Sequence, residues 1–207
     1  MSMTKAKPPA SKGAQPKIAV FPSELGWIAV VGQGQTVQRL VLGYDTAEAA
    51  LSALDPARHG DVEIGSWNKP LVTRLQAFAR GEPDDFADVQ LDVTGLTEFQ
   101  RRVLAACRKV KYGKVSSYSE LAIAAGAPRA ARAVGTVMRK NCVPLVVPCH
   151  RILSAGGGIG GYSCPQGISM KKRLLALEAQ AMAKSRTKQP AQSMAKGKSP
   201  PKRVTPR

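Results

Sequence analysis

The sequence predicts two packed units, an α/β unit over residues 17–93 and a mainly α-helical unit over 94–180. Short β-branched and apolar runs, separated by Gly and Pro, dominate the first unit. Helical spacing of apolar residues and helix-capping signals dominate the second unit. Residues 1–16 and 181–207 are rich in Lys, Pro, Ala, Ser and Gln and have few large apolar groups. We therefore expect both ends to be disordered basic tails, because they cannot bury enough surface to offset the entropy of ordering.

The first unit is expected to contain a three-stranded meander, two helices and a final strand. The strand runs are apolar and are bounded by turn residues, and one predicted helix is rich in Ala and ends before a proline. The other predicted helix has apolar residues at helical spacing, ends at Gly81, and precedes an alternating run. In chain order, the predictions are strands over Lys17–Phe21, Trp27–Val31 and Val37–Leu42, helices over Thr46–Leu54 and around Leu71, Leu75 and Phe78, and a strand over Val89–Val93.

The second unit contains a candidate helix-turn-helix. Thr97 can cap one helix, and Ser117 with Glu120 fits a capping box at the start of the next. Gly126 then turns the chain, and Pro128 is placed to open a basic helix over about 129–140. Two short helices, a turn with Gly and a basic second helix are typical of nucleic-acid-binding proteins, although many helix pairs bind nothing.

Charge is distributed unevenly along the 207 residues, whose formal net charge is +17. Residues 18–92 carry five basic and eleven acidic side chains, whereas 93–180 carry fourteen basic and three acidic ones. The two ends carry only basic charge. This distribution indicates that a polyanion meets the second unit, and by itself it fits DNA, RNA or an anionic membrane surface.

Several classes of protein are not expected. No apolar stretch approaches the roughly 18 residues needed to span a bilayer. The N-terminus lacks the apolar block of a signal peptide, which predicts an intracellular, cytoplasmic protein with no membrane partner. The four cysteines form no CxxC pair and the two histidines are far apart, so we expect free thiols and no metal site.

The dipeptide Cys149-His150 is the strongest chemical signal in the second unit. A free thiol has a pKa of roughly 8.5, so a neighbouring imidazole that accepts its proton would raise the fraction of reactive thiolate. The alternative is a buried, unreactive thiol, because Cys149 follows the apolar run Val143–Val147 and free cysteines are often buried.

The surrounding motifs resemble one family. The matching stretches are Tyr112-Gly-Lys-Val-Ser-Ser-Tyr118-Ser-Glu-Leu-Ala, Arg129-Ala-Ala-Arg132-Ala-Val-Gly135, Met138-Arg-Lys-Asn141 and Val147-Pro-Cys-His-Arg-Ile152. They resemble the O6-alkylguanine-DNA alkyltransferases, also called methylated-DNA–protein-cysteine methyltransferases. The resemblance covers residues 95–178 closely. It implies that the first unit is a small ribonuclease-H-like domain.

The resemblance implies a catalytic set. Cys149 would accept an alkyl group from O6 of guanine, and the inert thioether product would limit each molecule to one turnover. His150 would deprotonate the thiol through a water, and Glu178 would orient the imidazole. Asn141 would brace the active-site turn. No cofactor is implied, because the thiolate is itself the acceptor.

The resemblance also implies a DNA-binding set, with double-stranded DNA containing O6-alkylguanine as the partner. Arg132 would fill the place of a flipped-out nucleotide, since the alkyl carbon is unreachable inside a duplex. Tyr118 would crowd the target phosphate and donate a proton toward guanine N3. The small residues would let the helix approach the minor groove closely. We expect DNA contacts from Tyr118, Arg132, Ala130, Ala131, Ala133, Gly135 and Arg151, and a base pocket formed by Tyr118, Val147, Pro148, Tyr162 and Ser163.

Some positions depart from the family pattern. Cys164-Pro165 stands where Gly-Gly is usual, Cys142 where proline is common, and Leu177 where histidine is common. Three other functions compete with alkyl transfer: a non-catalytic lesion sensor of the same fold, a helix-turn-helix regulator, and a cysteine hydrolase. The retained Cys149 disfavours the sensor, no regulatory domain is visible, and no triad is apparent for a hydrolase. We expect a monomer, with cooperative assembly on DNA as an alternative.

Overall fold

The computed structural model describes residues 15–55 and 62–187. Most of the two predicted basic tails, residues 1–14 and 188–207, and the isolated His59 lie outside the described residues. Within the described part, the chain combines one mixed five-stranded sheet, six α-helices and a two-stranded parallel pair.

The five-stranded sheet confirms the predicted meander. β1 (Lys17–Phe21), β2 (Trp27–Gln33) and β3 (Thr36–Tyr44) pair antiparallel in sequence order. Gly34, at φ +59°, allows the two-residue turn between β2 and β3, since such hairpin turns need positive φ. Two short strands complete the edges: β4 (Glu63–Ile64) is parallel to β1, and β5 (Gln90–Leu91) is parallel to β3.

Two helices belong to the first unit. α1 (Ala47–Leu54) is capped by the Thr46 hydroxyl and contacts β2 and β3. α2 (Lys69–Ala79) is capped by the Asn68 side chain and buries Leu71, Leu75, Phe78 and Ala79. Both helices were predicted, the first from its Ala content and the second from the spacing of its apolar residues. The structure adds the two caps, which satisfy free N–H groups of each first turn.

Four helices follow. α3 (Glu98–Arg108) and α4 (Tyr118–Ala124) begin with complete capping boxes, as predicted at Thr97 and Ser117. α5 (Ala131–Arg139) begins two residues later than predicted. Pro128 does not open it but lies in a turn closed by the Ala130 N–H and the Ala127 carbonyl, where the fixed φ of proline suits the second position. The parallel pair β6 (Ser116–Ser117) and β7 (Ile152–Leu153) precedes α6 (Gly167–Thr187).

α6 corrects the predicted start of the C-terminal tail. The helix continues seven residues beyond position 180, where the sequence predicted disorder. Ala181 and Met182 pack against the core that also contains α2, so this stretch buries apolar surface that composition alone did not reveal. Among the described residues, no helix is long and apolar enough to cross a membrane.

The apolar core crosses the predicted boundary between the two units. One cluster joins sheet residues and α2 to residues from the second unit, including Tyr112, Leu145, Met170 and Leu174. A second cluster lies between α3, α4, α5 and Cys149. The region around Cys149 is therefore held from both sides, although the division into domains at residue 93 stays a prediction.

Candidate active site

Cys149 begins a one-turn 3₁₀ helix, Cys149–Arg151, directly after Pro148. Its side chain is almost fully buried, with 9% of the residue exposed, and it lines a cavity of about 280 Å³. Of the other three cysteines, Cys107 is buried in the second core cluster, Cys142 is exposed and Cys164 is half-buried, and none of them lines the cavity. Cys149 is thus the thiol that lines this cavity.

Asn141 holds the turn that carries Cys149. Its side-chain nitrogen donates to the Val147 carbonyl at 2.9 Å and to the Cys149 sulfur at 3.1 Å. Its side-chain oxygen accepts from the Val143 N–H at 3.1 Å. Leu145, at the centre of this turn, is buried with φ +70°, a conformation that a non-glycine residue adopts only when its surroundings impose it.

His150 is paired with Glu178 inside the protein. Its Nε2 lies 2.8 Å from Oε1 of Glu178, and both side chains are at most 2% exposed. An ionised carboxylate only accepts hydrogen bonds, so Nε2 carries the proton and Nδ1 keeps a free lone pair. Nδ1 is buried and has no hydrogen-bond partner within the described residues. It is the ring atom able to accept a proton.

Glu178 receives two further donors. The Gly113 N–H donates to its Oε2 at 2.8 Å, and Arg151 Nε donates to its Oε1 at 3.0 Å. Burial alone would raise the pKa of Glu178, but the hydrogen bond to His150 and the charge of Arg151 outweigh it and lower that pKa. Glu178 is therefore ionised and anchored at both oxygens.

The prediction that Arg151 contacts DNA is wrong. The side chain is 1% exposed and donates to Glu178, to Asp85 at 3.0 Å and to the Val110 carbonyl at 2.7 Å. Its guanidinium also lies 5.5 Å from the centre of the Tyr112 ring. The 3₁₀ turn directs Arg151 into the protein, where these partners neutralise it and leave nothing to face a nucleic acid.

Burial sets the resting protonation state around Cys149. It raises the pKa of the Cys149 thiol, against the opposing effects of the Asn141 hydrogen bond and the positive charge of Lys171. It also lowers the pKa of His150, despite the hydrogen bond that the ring donates to Glu178. The resting pair is therefore a neutral thiol beside a neutral imidazole, which is the combination that a general base requires.

Lys171 is a site residue that sequence reasoning missed. Its ammonium is buried, donates to the Ile152 carbonyl at 2.6 Å, and influences the Cys149 thiol electrostatically. Burial lowers the pKa of Lys171. The sequence did contain an indication of this position. Lys171, Leu174 and Glu178 follow an i, i+3, i+7 spacing, which places Lys171 on the same face of α6 as Glu178.

The cavity in front of Cys149 has polar and apolar walls from three segments. The sequence predicted Tyr118, Tyr162 and Ser163, and all three line it; Met138 and Arg139 were missed. Val147 and Pro148 do not line it, contrary to prediction, because both are buried and the Val147 side chain packs in the second core cluster. The full lining is Tyr118, Gly135, Met138, Arg139, Cys149, Gly161, Tyr162 and Ser163.

α5 presents an exposed basic surface beside this cavity. Arg132 and Ala133 are exposed, Ala130 and Ala131 are half-buried, and Gly135 lines the cavity next to Tyr118. A Cβ atom at Gly135 would lie 3.9 Å from the Tyr118 ring. Across residues 15–55 and 62–187, His, Cys, Asp and Glu form no group of three or more that could hold a metal ion.

Comparison with known proteins supplies independent information. Residues 98–180 match the sequence model of the family described as 6-O-methylguanine DNA methyltransferase, DNA binding domain. The methylated-DNA–protein-cysteine methyltransferases of Mycolicibacterium paratuberculosis and Mycobacterium tuberculosis are each 38% identical, over 156 and 157 residues. Each match covers 75% of this chain and 88% of the relative.

Solved structures agree with the sequence relatives. The crystal structure of Mycobacterium tuberculosis OGT in complex with DNA aligns with a TM-score of 0.67 at 33% identity, covering 80% of this chain and 94% of that one. The O6-methylguanine-DNA methyltransferase of Pyrococcus kodakaraensis aligns with a TM-score of 0.63 at 29% identity, covering 78% and 98%. The mixed sheet and helices described above are thus those of an alkyltransferase-type fold, and the chain belongs to the methylated-DNA–protein-cysteine methyltransferase family.

Proposed function

We propose that this protein repairs DNA by transferring an alkyl group from O6 of guanine to Cys149. The observation that carries the proposal is the position of the Cys149 thiol. It lines the cavity, is held by Asn141 and is followed directly by the His150–Glu178 pair. The names of the relatives, which describe methylated DNA and a protein cysteine, support the same reaction.

His150 acts as the general base. Glu178 fixes the Nε2–H tautomer, so Nδ1 takes the thiol proton through a bridging water, as the family resemblance implies. The resulting imidazolium is stabilised by the Glu178 carboxylate. The thiolate is stabilised by the Asn141 N–H donor at 3.1 Å and by the buried Lys171 ammonium.

The transfer is an in-line displacement. The Cys149 sulfur forms a bond to the alkyl carbon as the bond from that carbon to guanine O6 breaks, and the electron pair goes to the guanine. A proton from the Tyr118 hydroxyl to guanine N3 neutralises the leaving base. Burial raises the pKa of Tyr118, which keeps this donor protonated. The thioether has no leaving group that water could displace, so the protein acts once and needs no cofactor.

DNA reaches the cavity along α5. We propose that α4 and α5 form a helix-turn-helix whose second helix enters the minor groove, where small residues allow close approach. Arg132, exposed on α5, would occupy the stack vacated by the flipped nucleotide, and Tyr118, Tyr162 and Ser163 would surround the base. The antiparallel meander with a parallel strand at each edge supports a ribonuclease-H-like description of residues 17–93.

One experiment tests the reaction. The protein is incubated with duplex DNA containing O6-methylguanine, and intact mass and peptide mapping are recorded. We expect a gain of one methyl group on Cys149 and none in Cys149→Ala. Cys142→Ala, which removes an exposed thiol, is the matched control and should gain the methyl group normally.

The same measurement separates the competing functions. Binding that prefers the lesion but leaves the mass unchanged would identify a damage sensor. Binding without lesion preference would favour a regulator. Either result would overturn the proposed transfer. The proposal includes action inside the cell as a monomer, with double-stranded alkylated DNA as partner.

A further inference from the structure

Asp85 is a carboxylate of the first unit that contacts the active-site region of the second. It lies between α2 and β5, and its side chain is 23% exposed. Its Oδ1 accepts from Arg151 Nη1 at 3.0 Å and from the Tyr112 N–H at 2.7 Å. The flexible, exposed Lys111 ammonium lies 3.4 Å from Oδ2, and such surface pairs contribute little. The main partner of Asp85 is therefore the buried guanidinium.

Arg151 joins Asp85 to the general base. The guanidinium donates to Asp85 through Nη1 and to Glu178 through Nε, and Glu178 accepts from His150 at 2.8 Å. The Val110 carbonyl and the Tyr112 ring hold the guanidinium between these two carboxylates. The result is a continuous chain of short contacts from the first unit to the imidazole.

The charges along this series of contacts affect how well the protein can stabilise a protonated His150. At rest, one cation, Arg151, meets two carboxylates, Asp85 and Glu178, while His150 is neutral. When His150 takes the thiol proton, two cations meet two carboxylates. Without the charge of Asp85, Glu178 alone would have to balance both the guanidinium and the imidazolium, and buried charge without a partner is costly.

We propose that Asp85 is a positioning residue that balances the charge of Arg151, so that Glu178 can stabilise the His150 imidazolium formed during thiol activation. This inference rests on the proposed function of His150 as general base. It also assigns the first unit a part in the chemistry.

The charged and titratable groups near His150 define what a pH profile reports. They are Glu178 and Lys171 from α6, Arg151 from the 3₁₀ helix, Asp85 and Tyr112 beyond it, Cys107 from α3, and Cys149 and Tyr162 at the cavity.

At neutral pH the Cys149 thiolate forms by proton transfer to His150. Well above the thiol's own pKa it forms by loss of a proton to solvent, and His150 no longer matters. A defect in the imidazolium therefore disappears at alkaline pH.

The test uses Asp85→Asn, which keeps the acceptor oxygen for Arg151 and Tyr112 and removes only the charge. Asp88→Asn is the matched control, because Asp88 lies on the same segment and pairs with Arg74 instead. The full-length variants are treated with the small thiol reagent methyl methanethiosulfonate from about pH 6 to about pH 10.5, and the rate at Cys149 is followed by peptide mapping. Methyl transfer from O6-methylguanine DNA is measured in parallel.

We expect Asp85→Asn to react about tenfold more slowly than the unaltered protein at pH 7, equivalent to one pKa unit, and we expect this difference to shrink as the pH rises. Asp88→Asn should match the unaltered protein throughout. Equal rates at all pH values, or a uniform loss at all pH values, would overturn the inference. If Asp85→Asn does not fold, Asp85→Ser removes the same charge and is judged by the same criteria. A pH-dependent thiol defect in a protein that transfers no methyl group would uphold the inference and overturn the proposed function.

Discussion

The two sides of Cys149 are built differently. The inner network, consisting of His150, Arg151 and Glu178, is buried, and its members contact one another at 2.8 to 3.0 Å. The half-buried Asn141 holds the Cys149 sulfur at 3.1 Å. The outer wall, consisting of Tyr118, Arg132, Gly135, Tyr162 and Ser163, is half-buried or exposed and borders the cavity or the open face of α5. The groups that we propose for the chemistry are thus held in place by the fold, whereas those that we propose for DNA binding lie at the accessible side of the site.

Two arginines show the same difference. Arg151 is surrounded by two carboxylates and a backbone carbonyl, so its charge stabilises the protein interior. Arg132 is exposed on α5 and is free to meet a nucleic acid. Changes in the inner network should therefore reduce both stability and reactivity, while changes in the outer wall should reduce reactivity on DNA alone.

Glu178→Gln should cause the largest loss. It removes the buried carboxylate that Arg151 and His150 share and should lower the free energy of unfolding by about 3 kcal/mol in urea denaturation. Transfer to Cys149 should slow by about a hundredfold or more, because the imidazolium loses its carboxylate. Glu120→Gln, at an exposed capping position, should change stability by less than about 0.5 kcal/mol. Unchanged stability in Glu178→Gln would contradict the role of the inner network.

Arg132→Ala tests the outer wall. Its stability should match that of the unaltered protein within about 0.5 kcal/mol, because the side chain is exposed. Transfer from duplex DNA should slow by about tenfold or more, since flipping a base costs a few kcal/mol, whereas transfer from the free alkylated base should hardly change. Arg129→Ala, another exposed arginine beside α5, should leave the ratio of the two rates unaltered. An equal loss of transfer rate on both substrates would contradict the role of Arg132 in base flipping.

Acidification should weaken the inner network in two steps. Burial lowers the folded-state pKa of His150 below its ordinary value of 6.5, so below that pH the unfolded chain binds a proton that the folded protein does not. The free energy of unfolding should then decrease by up to about 1.4 kcal/mol for each unit by which the pH is lowered. The pKa of Glu178 is also lowered, and its contribution should be lost below about pH 4.3, as pH falls through the folded-state value.

Urea unfolding between pH 7 and pH 5 measures the first step. His150→Gln should flatten the curve in this window, since the titrating ring is gone. If the variant and the unaltered protein show the same slope, then His150 is not held neutral by burial.

Gly135→Ala should raise stability rather than lower it, and it should have the smallest effect on transfer. Replacing a helical glycine by alanine stabilises a helix by up to about 1 kcal/mol, and the new Cβ would make only an ordinary contact with Tyr118 at 3.9 Å. Transfer from duplex DNA should nevertheless fall severalfold if the helix must approach the groove closely. Thr136→Ala, at an exposed position of α5, is the control. Faster transfer by the more stable variant would argue against close approach at Gly135.

The local features of this protein could be predicted from short stretches of sequence. The meander, the helix cap at Thr97 and the capping box at Ser117 follow from residue types at fixed spacing, whereas the bracing role of Asn141 was implied by the family resemblance. The start of α5 and the end of α6 could not, since Pro128 suits a turn as well as a helix start, and the helical end of α6 depends on packing by Ala181 and Met182.

The sequence by itself determined the reactive pair and its surroundings, because Cys149, His150 and the motifs around them lie close together in the chain and carry their chemistry locally. Only the tertiary structure decided where Arg151, Lys171 and Asp85 belong. Their roles depend on contacts between residues that are 19 to 66 positions apart, at Ile152–Lys171 and Asp85–Arg151. From sequence alone a charged side chain is expected at the surface, because charged residues are rarely buried without a partner. Only the partners that the fold brings to it show that it is buried.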